Sequence, residues 1–132
     1  MRSMKAKKNL GQNFLKSKQA IRDIIKSADL SNKDLVLEIG PGKGVLTEAL
    51  LETGARVVAI EKDYELLPIL IEKFAKELEE ERLLLINDDI LKFEPEDLLR
   101  YSKKYKVIAN IPYNITGAIF EKFLSAKHQP ER

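Results

Sequence analysis

Short apolar runs alternate along this chain with longer stretches in which apolar residues return every three or four positions. The short runs are Leu35 to Ile39, Arg56 to Ile60, Leu83 to Ile86 and Lys106 to Ala109. Rich in leucine and β-branched residues and bounded by turn formers, they read as four strands. Ahead of the first, Ser17 is placed to cap a helix in which Ile21, Ile24, Ile25 and Ala28 share one buried face. Val45 to Thr53 carries Leu46, Ala49 and Leu50 at helical spacing and stops at Gly54, a natural left-handed C-terminal residue. Asp63 can cap the next helix, whose charged tail runs through Glu77, Glu79, Glu80 and Glu81, with Pro68 confined to its first turns because it has no amide donor. A short helical piece is expected around Asp97 to Tyr101, and a last helix from Gly117 to Ser125.

Strands with few polar interruptions, each followed by a helix, imply a parallel sheet covered on both faces with right-handed crossovers. The expected fold class is therefore α/β, doubly wound. Ligands of such folds sit beyond the carboxyl ends of the strands. Those positions here are Glu38 to Gly44, Glu61, Asp88 with Asp89, and Asn110 to Tyr113.

Composition narrows the class without choosing the function. At 132 residues the chain has the size of one domain, and a net charge of +2, from 23 Lys plus Arg against 21 Asp plus Glu, is too small to argue for nucleic acid by itself. Arg2, Lys5, Lys7 and Lys8 are clustered instead, and residues 1–8 are expected to form a flexible basic arm ahead of a domain over residues 9–132. With no cysteine and one histidine, His128, neither a disulfide framework nor a Cys- or His-based metal site is expected. No apolar run is long enough to cross a bilayer, so a cytoplasmic protein is expected.

The candidate chemistry lies at the strand ends. Gly40, Gly42 and Gly44 stand at alternate positions directly after Glu38 and open a helix. Glycine allows positive φ and close backbone approach, and a helix N-terminus offers unpaired amides. The dinucleotide fingerprint needs its third glycine one position later, where Val45 stands, so a nicotinamide site is disfavoured. Glu61, about twenty residues on, is placed to accept hydrogen bonds from ribose hydroxyls; the plainer alternative is an exposed acid at a strand end. One of Asp88 and Asp89 can accept from an adenine amino group while the other caps the turn.

Asn110-Ile111-Pro112-Tyr113 suits an aromatic amine whose lone pair is delocalised, such as adenine N6. An asparagine oxygen and a proline-held carbonyl can each accept one N6 hydrogen, and a tyrosine ring can stack on the base. Its bland alternative is a Pro-containing turn with a half-buried tyrosine.

Taken together, Leu10-Gly11-Gln12-Asn13-Phe14-Leu15, Glu38-Ile39-Gly40-Pro41-Gly42, Glu61, Asp89 and Asn110-Ile111-Pro112-Tyr113 resemble the ribosomal RNA adenine dimethyltransferases. The resemblance implies a Rossmann-like methyltransferase fold with strand order 3-2-1-4. It implies S-adenosyl-L-methionine as cofactor, S-adenosyl-L-homocysteine as product and no metal. The implied activity is N6 dimethylation of two adjacent adenosines in small-subunit ribosomal RNA. Asn13 and Leu15 would close over the cofactor and Gly40 would contact its methionine part, with Gln12, Glu38, Gly42 and Gly44 also among the cofactor-binding residues. Glu61 would hold its ribose, Asp89 its adenine amine, and Asn110 would serve both cofactor and target, with Pro112 and Tyr113 completing the catalytic set. The erythromycin-resistance methylases of large-subunit RNA share most of these motifs and are the alternative, as is a non-catalytic RNA- or nucleotide-binding module. The family's catalytic domain continues through further strands and a small helical domain, so the chain is expected to be a partial domain whose fourth strand is left as an edge, covered by a second copy or by another arrangement.

Overall fold

A computed structural model describes residues 18–109 and 130. The chain begins there with α1 (Lys18–Ala28), then β1 (Leu35–Ile39), α2 (Val45–Glu52) and β2 (Arg56–Glu61). A 3-10 turn at Tyr64–Leu66 leads into α3 (Leu67–Lys73) and α4 (Ala75–Glu79), which precede β3 (Leu83–Asn87). A second 3-10 segment, Pro95–Arg100, leads to β4 (Lys106–Ala109).

All strand pairs are parallel, and their order is β3-β2-β1-β4, as the resemblance implies. Val36 pairs with Val57 and with Lys106, and Val57 with Leu83, so β1 and β2 are central while β3 and β4 are the edges of the described sheet. Burial follows that order: every residue of β1 is buried, whereas β4 is half-buried or exposed.

The two-residue period of the strands divides the core into two layers. On one face, Val36, Val57, Ala59 and Leu83 pack with Leu46, Leu50 and Leu51 of α2 and with Leu70 and Phe74. On the other, Leu35, Leu37, Ile39, Val58 and Ile60 pack with Ile90, Phe93, Leu98 and Tyr105. The same parity sets the site: Glu38 and Glu61 fall on the face that carries α2, where a fully apolar layer would otherwise continue.

Two expectations need correction. The helix expected from Asp63 to Glu81 is broken in two at Phe74, whose backbone leaves helical geometry at φ −114° and ψ 29°. Phe74 is buried, with its ring against Gly44, so seating a core side chain overrides the helical period of the flanking residues. Asp63 does cap the segment, accepting from the Glu65 amide, and Pro68 lies at its start. The face of α1 is only half-buried: Ile21, Ile24 and Ile25 lean on the first core layer, and no residue of the helix is fully enclosed. Ser17, residues 1–8 and Gly117 to Ser125 lie outside the described residues.

Candidate cofactor site

The joint between β1 and α2 is built by three glycines with left-handed backbones, at φ 70°, 60° and 90° for Gly40, Gly42 and Gly44. The Gly40 amide donates to the Ile60 carbonyl at 2.9 Å, extending the ladder, and the Gly44 amide donates to Pro41 at 2.9 Å, closing the turn. Gly44 is the N-terminal cap of α2, with no side-chain oxygen over the first amides. The glycines differ in what limits them. A Cβ at Gly42 would meet nothing within 4 Å among the described residues, which leave its backbone open to approach. At Gly44 a Cβ would lie 2.6 Å from the Phe74 ring, so this glycine has a packing reason of its own.

Two carboxylates flank the turn from adjacent strands. Glu38 pairs in register with Ala59, two residues before Glu61, so the two acids are diagonal neighbours on one face. Glu61 is 6% exposed rather than an exposed strand-end acid. Its Oε1 accepts from the Gly42 amide at 3.1 Å and its Oε2 from the Asp63 amide at 2.9 Å. A carboxylate has about four acceptor positions, so the described residues leave two for a further donor. Its backbone carbonyl is held by the Asn87 side-chain amide at 2.8 Å and the Asp88 amide at 3.2 Å, which fixes the tip of β2 to that of β3.

Glu38 is fully buried. The Thr47 hydroxyl, one turn into α2, donates to its Oε1, while Oε2 is enclosed with no hydrogen-bond partner among the described residues. Burial pushes this carboxyl up to about 7 from its usual 4.5; the Thr47 hydrogen bond lowers it and the negative charge of Glu61 raises it. A buried acceptor without a donor is costly, and such groups concentrate where a ligand completes the set. The orphaned oxygen, the open Gly42 backbone and the capless start of α2 thus fit a ligand that brings a cationic or hydrogen-bond-donating group.

After β3, both aspartates work as turn caps: Asp88 Oδ1 accepts from the Asp89 amide at 2.7 Å, and Asp89 Oδ1 from the Leu91 amide at 3.0 Å. Asp89 Oδ2 faces Lys62 at 3.8 Å, a partner so exposed that its charge is well screened. Gln12, Asn13, Leu15, Asn110, Pro112 and Tyr113 lie outside the described residues. Ala109, the last residue of β4, pairs with Ile39, the residue that precedes the glycine turn. Among the described residues, no group of three or more His, Cys, Asp or Glu side chains could hold a metal ion, and no helix is long and apolar enough to cross a membrane.

Thr47 and Asn87 were not singled out by the sequence pattern. Thr47 left one signal, a lone hydroxyl between Leu46 and Leu50 on a face otherwise committed to the core. Asn87 left none, because an amide just after an apolar run is ordinary turn chemistry.

A family profile described as ribosomal RNA adenine dimethylase matches residues 3–132. A curated protein from Dehalococcoides mccartyi, named ribosomal RNA small subunit methyltransferase A, is 47% identical over 129 residues, covering 98% of this chain and 43% of that protein. Among solved structures, the 23S rRNA methyltransferase ErmE is 31% identical with a TM-score of 0.72, covering 86% of this chain and 43% of its own. A dimethyladenosine transferase from Plasmodium falciparum is 27% identical with a TM-score of 0.69, covering 87% and 39%. The chain therefore spans less than half the length of these relatives.

Proposed function

The chain belongs to the ribosomal RNA adenine dimethylase family, and from that premise we propose that it supplies the S-adenosylmethionine-binding part of an enzyme that dimethylates adenine N6 at two adjacent adenosines of small-subunit ribosomal RNA. The observation that carries the reading is the pair of buried acids on adjacent strand ends beside an open glycine turn, one of them with an oxygen left unpartnered among the described residues. The small-subunit substrate is favoured because the Dehalococcoides relative named for that subunit is 47% identical, against 31% for the large-subunit enzyme ErmE. Such a substrate places the activity in the cytoplasm.

When bound, the cofactor supplies a methyl group on a cationic sulfur. The residues of this chain bind and orient. Glu61 uses its two remaining acceptor positions for ribose hydroxyls, held still by the Gly42 and Asp63 amides. Gly40 and Gly42 let the backbone approach the methionine part. Gly44 seats the helix that follows. Asp89 keeps one carboxylate oxygen for the adenine amine, with the turn it caps setting its position. By resemblance, Gln12, Asn13 and Leu15 bind the cofactor, and Asn110 with the carbonyl held by Pro112 accepts the two N6 hydrogens while Tyr113 stacks on the base. Rate enhancement then comes chiefly from alignment of donor and acceptor, with no strong base required before transfer.

Calorimetry of the chain with S-adenosylmethionine tests the cofactor half of this reading. Saturable binding, weakened at least about tenfold by Glu61→Ala, is expected from the loss of a two-bond charged acceptor; a wild-type chain that folds and does not bind overturns it. Mass spectrometry of unmodified small-subunit RNA incubated with the chain and labelled cofactor tests the transfer half. Dimethyladenosine at adjacent positions is the expected product. Binding without transfer leaves the cofactor half standing and removes transfer by this chain alone.

A further inference from the structure

Thr47 stands out because it is a fully buried hydroxyl in the first turns of α2 whose partner is a functional acid rather than the backbone of its own helix. A threonine hydroxyl on a helix can bond back to a carbonyl three or four residues earlier. Here it reaches across the glycine turn, nine residues back in the chain, to the strand from which the turn begins. Its bond therefore spans the segment that the proposed ligand approaches, and it holds one carboxyl oxygen of Glu38 while the other is enclosed and unpartnered among the described residues.

We infer that Thr47 is a positioning residue for the proposed cofactor site, whose hydroxyl fixes the Glu38 carboxyl so that its second oxygen is kept for the positively charged end of the ligand. The inference rests on the cofactor reading above. It goes beyond that reading by assigning a role to a residue that acts through Glu38.

The surroundings of Glu38 give the inference a distinctive readout. From α2 it is met by the uncharged Thr47, from β2 by Ala59 in register and by the charge of Glu61, and from β4 by Ile108 in register. Burial holds the carboxyl at about 7, with Thr47 pulling it down and Glu61 pushing it up. Ligand and proton then compete for the same oxygen, so binding should strengthen as pH rises through that value. Removing the Thr47 donor leaves the carboxylate less stabilised and moves the midpoint upward, because a hydrogen bond to the charged form favours that form.

The test is S-adenosylmethionine affinity by calorimetry from pH 5.5 to 8 in the wild-type chain, Thr47→Val, Thr47→Ser and Glu38→Gln. The ligand's own ionisation is common to all four. With a midpoint displaced by about one pH unit, Thr47→Val binds about fivefold more weakly than wild type at pH 7 but within about twofold at pH 8. Thr47→Ser keeps the donor and retains the wild-type profile, while Glu38→Gln loses the pH dependence that distinguishes wild type from Thr47→Val. A Thr47→Val affinity lowered by the same factor at every pH overturns the inference, since a purely packing role moves no midpoint. Thr47→Ala, well tolerated in a helix, replaces the valine variant if that one does not fold. A wild-type chain that does not bind overturns the cofactor reading itself, whereas binding with an unmoved midpoint in the variant overturns only the role of Thr47.

Discussion

A methyl group added at Gly44 would meet the Phe74 ring at 2.6 Å, whereas one added at Gly42 would meet none of the described residues within 4 Å, although both residues have left-handed backbones. Gly42→Ala therefore bears only the backbone penalty, about 1–2 kcal/mol. Gly44→Ala adds overpacking against a buried ring and should lose about 2–4 kcal/mol. Urea denaturation of the two variants checks this, and equal losses would show that Phe74 yields freely. Both glycines were legible in the sequence as members of one motif, but the division of labour between them was not. Phe74 is thirty residues further along the chain, and nothing in the local pattern ties its ring to Gly44.

At the scale of elements, packing rather than propensity decides what forms. The eight residues of α2 are too few to be stable alone, and its inward face of Leu46, Leu50 and Leu51 against β1 and β2 supplies the difference. Leu50 is wholly buried, so Leu50→Ala should cost about 2–5 kcal/mol, through lost transfer energy and the cavity left behind. Leu99, 52% exposed in the second 3-10 segment, should tolerate the same change within about 0.5 kcal/mol. Denaturant midpoints with unchanged slopes would confirm the contrast; similar losses at both positions would refute the assigned layers. Strand positions were readable because a buried parallel sheet demands apolar runs, and the break at Phe74 was not, because a helical period continues on either side of it.

Across the whole molecule, the buried acid at the end of β1 links folding to pH. The Glu38 carboxyl lies at about 7 in the folded chain against an ordinary 4.5. The folded state therefore keeps a proton that the unfolded chain has already released. The sign follows: this group's contribution to stability is fully present below pH 4.5 and is lost as pH rises to about 7. Between pH 4.5 and 8 the wild-type chain should lose on the order of 3 kcal/mol relative to Glu38→Gln, which cannot ionise. Chemical denaturation of both proteins at the two pH values measures the difference. Parallel pH profiles would mean that water or relaxation satisfies the carboxylate.

The alternation of apolar runs and helical periods, with glycines after one strand and acids after the next, determined the fold class and the end of the sheet at which to look for chemistry. Those features are local, and local pattern suffices to set them because strand and helix each impose a short repeat. The parallel order β3-β2-β1-β4 came from the motif resemblance, and the sheet bears it out. What only the tertiary structure decided is which atoms meet: that Glu38 and Glu61 share a face as diagonal neighbours, that Thr47 takes one oxygen of Glu38 and leaves the other enclosed, and that Gly44 answers to Phe74. These depend on strand register and on how α2 and the α3–α4 segment settle against the sheet. They join residues from nine to thirty positions apart, beyond the reach of any short-range period.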